Sequence, residues 1–197
     1  MIPDSKSTYL ALGDSYTIGE GVLPSERWPV LLSERLFWAP PQIIATTGWT
    51  TTELLEGIEK SKLEKTYDWV SLLIGVNNQY RGQSTDIYQN DLEILKELIL
   101  PLVDHMPNRV FLLSIPDYGI TPFAQNKYPE KISRELNLYN RINYAFAKEN
   151  GFQYCDITPS SLLAKNDASY LVADELHPSG KMYELWVNEV IDKCHFL

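Results

Sequence analysis

Short apolar runs alternate with longer stretches of helical spacing along the whole chain. Tyr9-Leu10-Ala11-Leu12, Gln42-Ile43-Ile44-Ala45, Trp69-Val70-Ser71-Leu72-Leu73-Ile74, Arg109-Val110-Phe111-Leu112-Leu113-Ser114-Ile115 and Phe152-Gln153-Tyr154-Cys155 each read as a strand. Between them, Trp28 to Leu36, Asp86 to Met106 and Pro129 to Asn150 carry apolar residues at helical spacing, and a last helix opens at Pro178-Ser179-Gly180 and runs through Trp186, Val190 and Ile191. Pro29 suits a first helical turn, Thr50 with Glu53 forms a capping-box pattern, and Asn150-Gly151 ends a helix. Pro101 is expected to kink or divide the long helix that starts near Asp86. Strand followed by helix throughout predicts parallel strands joined by crossover helices, about five strands in three layers. With no repeat and no linker, residues 1–197 read as a single domain.

Composition narrows the partners rather than the fold. Hydrophobic residues make up 44% and charged residues 22%, ordinary for a globular protein. A net charge of -9 argues against nucleic acid and anionic membrane surfaces. No apolar stretch approaches a membrane span, so membrane insertion is not expected. Met1-Ile2-Pro3-Asp4-Ser5-Lys6 shows no apolar signal-peptide core, which makes a cytoplasmic location the expectation. Cys155 and Cys194 are too few for a disulfide framework and read as buried thiols. With three histidines and no cysteine cluster, neither a metal site nor a cofactor is expected.

The candidate chemistry lies just after the strands, at the edge where open α/β sheets bind ligands. Gly13 ends the first strand and Asp14-Ser15 follow it; Asp and Ser cap helices far more often than they attack substrates, yet a turn there also exposes a hydroxyl. Gly48 follows the second strand, either as a turn residue of positive φ or as a backbone N–H close to a ligand oxygen. Asn77-Asn78 follow the third, either as turn formers or as amide donors to a developing oxyanion. Asp174 and His177 share one loop, so a carboxylate can hold one ring nitrogen while the other faces a serine. His105 and His195 read as a helix-end cation and a tail residue. The Gly-x-Ser-x-Gly elbow of α/β-hydrolases is absent around Ser15.

Taken together, Gly13-Asp14-Ser15-Tyr16, Gly48, Gly75-Val76-Asn77-Asn78 and Asp174-Glu175-Leu176-His177-Pro178 resemble, in order and spacing, the four sequence blocks of the SGNH or GDSL-like hydrolases. The resemblance implies a flavodoxin-like three-layer α/β/α fold and ester hydrolysis without a cofactor. It implies Ser15 as nucleophile and first oxyanion donor, Gly48 and Asn77 as the other donors, His177 as base and Asp174 as its orienter. Asp14 and Asn78 become supporting residues. Tyr16 stands where Leu is usual, and Asn78 where Asp is usual. An Asn keeps a carbonyl acceptor and loses the charge, so restoring Asp is expected to be tolerated.

The expected function is that of a serine esterase or acylhydrolase acting on a small-molecule ester, with a short acyl group on a polar alcohol. A lysophospholipase or thioesterase for longer chains is the alternative within the class, and a non-catalytic flavodoxin-like binding module is the alternative outside it. Trp49, Tyr80, Tyr118, Phe123 and Tyr128 lie in the loops after the strands, where some pack the loops and the rest face ligand. Oligomeric state is not read from the sequence.

Overall fold

The computed structural model describes residues 6–63 and 65–196. Residues 1–5, which carry the expectation about a signal peptide, lie outside them. In chain order the elements are β1 (Tyr9–Gly13), α1 (Ser15–Ile18), α2 (Trp28–Arg35), β2 (Gln42–Ala45), α3 (Thr51–Ser61), β3 (Trp69–Leu73), α4 (Val76–Tyr80), α5 (Thr85–Ile99), β4 (Val110–Leu113), α6 (Pro129–Glu149), β5 (Gln153–Cys155), α7 (Thr158–Ser161) and α8 (Gly180–Lys193).

The five strands form one parallel sheet in the order β2-β1-β3-β4-β5, the flavodoxin-like order. Register pairs Leu12 with Leu72 and Gly13 with Leu73, so Ser15 and the segment after β3 leave the sheet side by side. The chain steps from β1 one way to β2, then the other way through β3, β4 and β5. Right-handed crossovers therefore put α2 on one face and α3, α5 and α6 on the other. The contacts agree: α2 packs on α8, α3 on α5, and α5 on α6. This is a three-layer α/β/α sandwich.

Covered on both faces, the strands are apolar throughout rather than alternating. Leu10, Leu12, Val70, Val110 and Phe111 are fully buried, and burying each Val, Leu or Phe contributes about 1.5–3 kcal/mol. Trp28 of α2 and Trp186 of α8 fill the layer between those helices and the sheet. Some polar groups in the core are paired, as in the 2.7 Å hydrogen bond between the Tyr9 hydroxyl and Ser71 Oγ.

The long helix expected over Asp86 to Met106 ends earlier, at Ile99, and a 3-10 turn over Leu100–Val103 with Pro101 in its first turn follows, so Pro101 divides the element and does not kink a continuous helix. Asp104 and His105 then take left-handed backbone, so His105 is a loop residue and not a helix end. Both cysteines are buried free thiols.

Candidate active site

Each candidate residue sits where a strand gives way to a turn at one edge of the sheet. After β1, Asp14 is the N-cap of α1: its Oδ1 accepts from the Tyr16 N–H at 3.0 Å. Ser15 is the first residue of that helix, so its own N–H has no intrahelical partner. The capping role therefore falls to Asp14 and leaves Ser15 available. Gly13 has to be glycine because a Cβ there would collide with the Thr17 side chain and the Leu73 carbonyl oxygen. Burial raises the Asp14 carboxyl to about 7, against backbone hydrogen bonds that lower it, and its Oδ2 is buried without a protein partner.

After β2, the chain turns over residues 46–49, closed by the Trp49 N–H on the Thr46 carbonyl at 3.2 Å. Gly48 has φ +87° and Thr47 does not share the positive φ, which is the type II pattern. A methyl at Gly48 would meet nothing closer than Arg81 Nη2 at 3.9 Å, so backbone conformation and not space demands glycine. After β3, the short helix α4 carries Asn77 and Asn78. Asn77 Nδ2 donates to the Trp49 carbonyl at 2.9 Å. That bond uses one amide hydrogen and fixes the side chain, leaving the second N–H for a ligand.

Asn78 turns away into the protein. It is buried, its Oδ1 accepts the Thr51 N–H at 3.1 Å, and its Nδ2 donates to Thr51 Oγ1 at 2.7 Å and Gln83 Oε1 at 2.9 Å. The Thr51 hydroxyl donates in turn to Asp91 Oδ2 at 2.6 Å. A carboxylate at position 78 would lose both donors beside an existing carboxylate. This geometry argues against the expectation that Asp would be tolerated there.

Asp174 and His177 lie on an irregular loop before α8. Asp174 Oδ1 accepts the backbone N–H groups of Leu176 and His177, each at 2.9 Å, and Oδ2 meets His177 Nδ1 at 2.6 Å. The three-residue spacing thus lets one carboxylate fold its own loop and hold the ring. Burial raises the Asp174 carboxyl, but hydrogen bonds from the His177 ring and from the two backbone N–H groups outweigh it, and the group stays ionised below the usual carboxylate range. The loop is anchored by the Val172 N–H on the His177 carbonyl and the Ser179 N–H on the Tyr170 carbonyl, both 2.9 Å.

Ser15, Gly48, Asn77 and His177 line one cavity of about 210 Å³, with Tyr16, Tyr118 and Phe123 among its walls. Asp174 stands behind His177 and not in the wall. The sequence of this site is also that of a known family: residues 11–185 match the GDSL-like lipase/acylhydrolase family. The chain belongs to that family. This GDSL-like hydrolase is accordingly a serine hydrolase of the SGNH type. No curated protein matches the chain.

Solved structures show the same fold. The protein is similar to TesA (19% identity, TM-score 0.72, covering 94% of this chain and 97% of that one). It is also similar to the psychrotrophic esterase EstA from Pseudoalteromonas sp. (19%, 0.71, 95% and 96%). An acetylxylan esterase from Geobacillus stearothermophilus aligns over the full length (19%, 0.63, 100% and 99%).

Some neighbours of the GDSL-like site left no mark in local sequence. Arg81 donates from Nη2 to the Gly48 carbonyl at 2.5 Å and from Nη1 to Glu53 Oε1 at 3.1 Å. The Thr47 hydroxyl is bonded to Glu20. Among the loop aromatics, Tyr118 is buried with its hydroxyl on Gln79, Trp49 packs over Gly57, and Tyr80 and Phe123 face the cavity. Tyr128 is 80% exposed. Among the described residues, no helix is long and apolar enough to cross a membrane.

Proposed function

We propose that residues 1–197 act as one catalytic unit that cleaves a short-chain carboxylic ester of a polar alcohol through an acyl-enzyme. Ser15 Oγ attacks the ester carbonyl carbon while His177 Nε2 takes its proton. The carbonyl electron pair becomes an oxyanion held by the N–H groups of Ser15 and Gly48 and the free amide hydrogen of Asn77. Asp174 keeps the proton on Nδ1 and stabilises the imidazolium. Collapse expels the alkoxide, which takes the proton from His177. Water then attacks the acyl-enzyme with His177 again as base and releases the acid and Ser15.

The observation that carries this reading is the placement of Ser15, Gly48, Asn77 and His177 on one small cavity, with the His177 ring held from behind at 2.6 Å. Size and lining support the substrate class. A cavity of about 150 Å³ holds a benzene, so one of 210 Å³ suits a small acyl group. Beyond the Tyr80–Tyr118 pair lies a second trough of about 490 Å³ lined by Gln79, Lys127, Tyr128, Lys131 and Glu135. Its mixture of aromatic faces and hydrogen-bonding groups fits a hydroxylated alcohol better than a fatty chain.

The test is kcat/KM for p-nitrophenyl esters from acetate to palmitate, measured on monomeric substrate. A maximum at acetate or butyrate is expected. A steady rise toward palmitate overturns the short-acyl reading and assigns the trough to a long chain, as in a lysophospholipase or thioesterase.

A further inference from the structure

Both side-chain and backbone oxyanion donors in the proposed mechanism sit on separate pieces of chain. Asn77 is on α4, and Gly48 is in the turn before α3. Their separation is set by whatever ties those two segments together. Three side chains of one short stretch do so: Asn77 on the Trp49 carbonyl, Asn78 on the Thr51 backbone and hydroxyl, and Arg81 on the Gly48 carbonyl. Gly48, free to adopt several conformations, gives the turn no stiffness of its own. Its N–H direction depends on the peptides on both sides being held.

We propose that Arg81 is a positioning residue for the oxyanion site: its guanidinium bridges the Gly48 carbonyl and Glu53 and so locks the Gly48 N–H in register with Asn77. The geometry fits this role in two ways. Arg81 is the C-cap of the very helix that carries Asn77, so the bridge spans the two donors directly. Glu53 is itself fixed by accepting the Thr50 N–H at 2.8 Å, so the far end of the bridge is anchored to the first turn of α3. The planar guanidinium reaches both acceptors at once, which a lysine ammonium does less well. Asn78 makes the equivalent tie inside the protein, where substitution threatens folding. Arg81 is about half exposed, with 45% of its side chain accessible, and its removal leaves the core untouched.

This inference rests on Gly48 and Asn77 being the oxyanion donors. The experiment compares wild type, Arg81→Met, Arg81→Lys, Asn77→Ala and Ser15→Ala with p-nitrophenyl acetate. It reads kcat, KM, melting temperature and affinity for a trifluoromethyl ketone, whose adduct with Ser15 places an oxyanion in the site. Misplacing a reacting group by about 1 Å costs about 100-fold. Arg81→Met is expected to lower kcat and ketone affinity together by roughly 10- to 100-fold, with KM and melting temperature near wild type. Arg81→Lys should recover part of the loss. Adding Arg81→Met to Asn77→Ala should cost less than the two single losses multiplied, because the donors act as a unit.

A kcat for Arg81→Met within twofold of wild type overturns the inference. So does a loss of kcat that tracks a fall in melting temperature and vanishes on cooling, or one that leaves ketone affinity unchanged. An active Ser15→Ala, or an Asn77→Ala with normal kcat, instead overturns the underlying site assignment, so the two failures are distinguishable.

Discussion

Asn78→Asp replaces an amide by its isostere in a buried polar cluster. Both Asn78 and Thr51 are buried, and Asp91 is only 8% exposed. In the wild type every hydrogen is used once: Asn78 Nδ2 gives two, to Thr51 Oγ1 and Gln83 Oε1, and Thr51 Oγ1 gives its one to Asp91. An ionised carboxylate in place of the amide has none to give. Gln83 can turn its amide to donate, and Asp91 Oδ2 also accepts the Thr52 hydroxyl at 2.7 Å, so the loss falls on the contact with Thr51 Oγ1. While the Thr51 hydroxyl serves Asp91, the introduced carboxylate oxygen faces the Thr51 oxygen with no hydrogen between them, at about 1–3 kcal/mol for the lost bond and more for a buried charge. The loss should be about 2–4 kcal/mol at pH 8, which for a chain of this length lowers the melting temperature by roughly 5–15 °C. Protonating the introduced carboxyl restores a donor, so it titrates above the ordinary value in the folded state. A raised carboxyl contributes stability at low pH that is lost as pH rises through the folded value. The deficit relative to wild type should therefore shrink at pH 4.5. Urea and thermal unfolding of both proteins at pH 4.5 and pH 8 measure it. Equal stability at pH 8, or a deficit that grows on acidification, refutes the reasoning.

Other outcomes follow from the same geometry. Ser15→Ala and His177→Ala should each remove nearly all esterase turnover, by several orders of magnitude, with circular dichroism unchanged, because the two groups act as one unit. Asn77→Ala should lower kcat by roughly 10²–10³ with a much smaller change in KM in steady-state assays. For Asp14, burial holds the carboxyl at about 7 against an ordinary 3.8, so the folded state keeps a proton that the unfolded chain releases. Stability from this group is full below pH 4 and lost as pH rises through 7. Asp14→Asn should flatten the urea-unfolding difference between pH 4.5 and pH 8, and an unchanged difference would contradict it.

The strands were legible because a sheet covered on both faces demands continuous apolar runs, and Leu10, Val70 and Phe111 supply them. The Asp174–His177 pair was legible because its contact is local, made within one turn of loop. Asn78 was read only as a support residue with an acceptor to offer, since its Thr51 partner lies on α3, 27 residues away, and Asp91, which Thr51 serves in turn, lies further along the chain. Arg81 escaped for the same reason: nothing in its own neighbourhood signals a bond to a carbonyl 33 residues earlier. The helix end at Ile99 was blurred because apolar spacing continues through Leu100 and Val103, where Pro101 favours a tighter turn over a kink.

The account stands on Ser15 as the atom that carries the acyl group. Incubating the enzyme with a p-nitrophenyl alkylphosphonate, then mapping the adduct by mass spectrometry, tests that directly. One phosphonyl group per chain is predicted, on the peptide containing Ser15, forming as p-nitrophenol is released and activity is lost. Labelling should be absent in Ser15→Ala and strongly slowed in His177→Ala. A stoichiometric adduct on another residue, or full labelling of Ser15→Ala with loss of its remaining turnover, would contradict it.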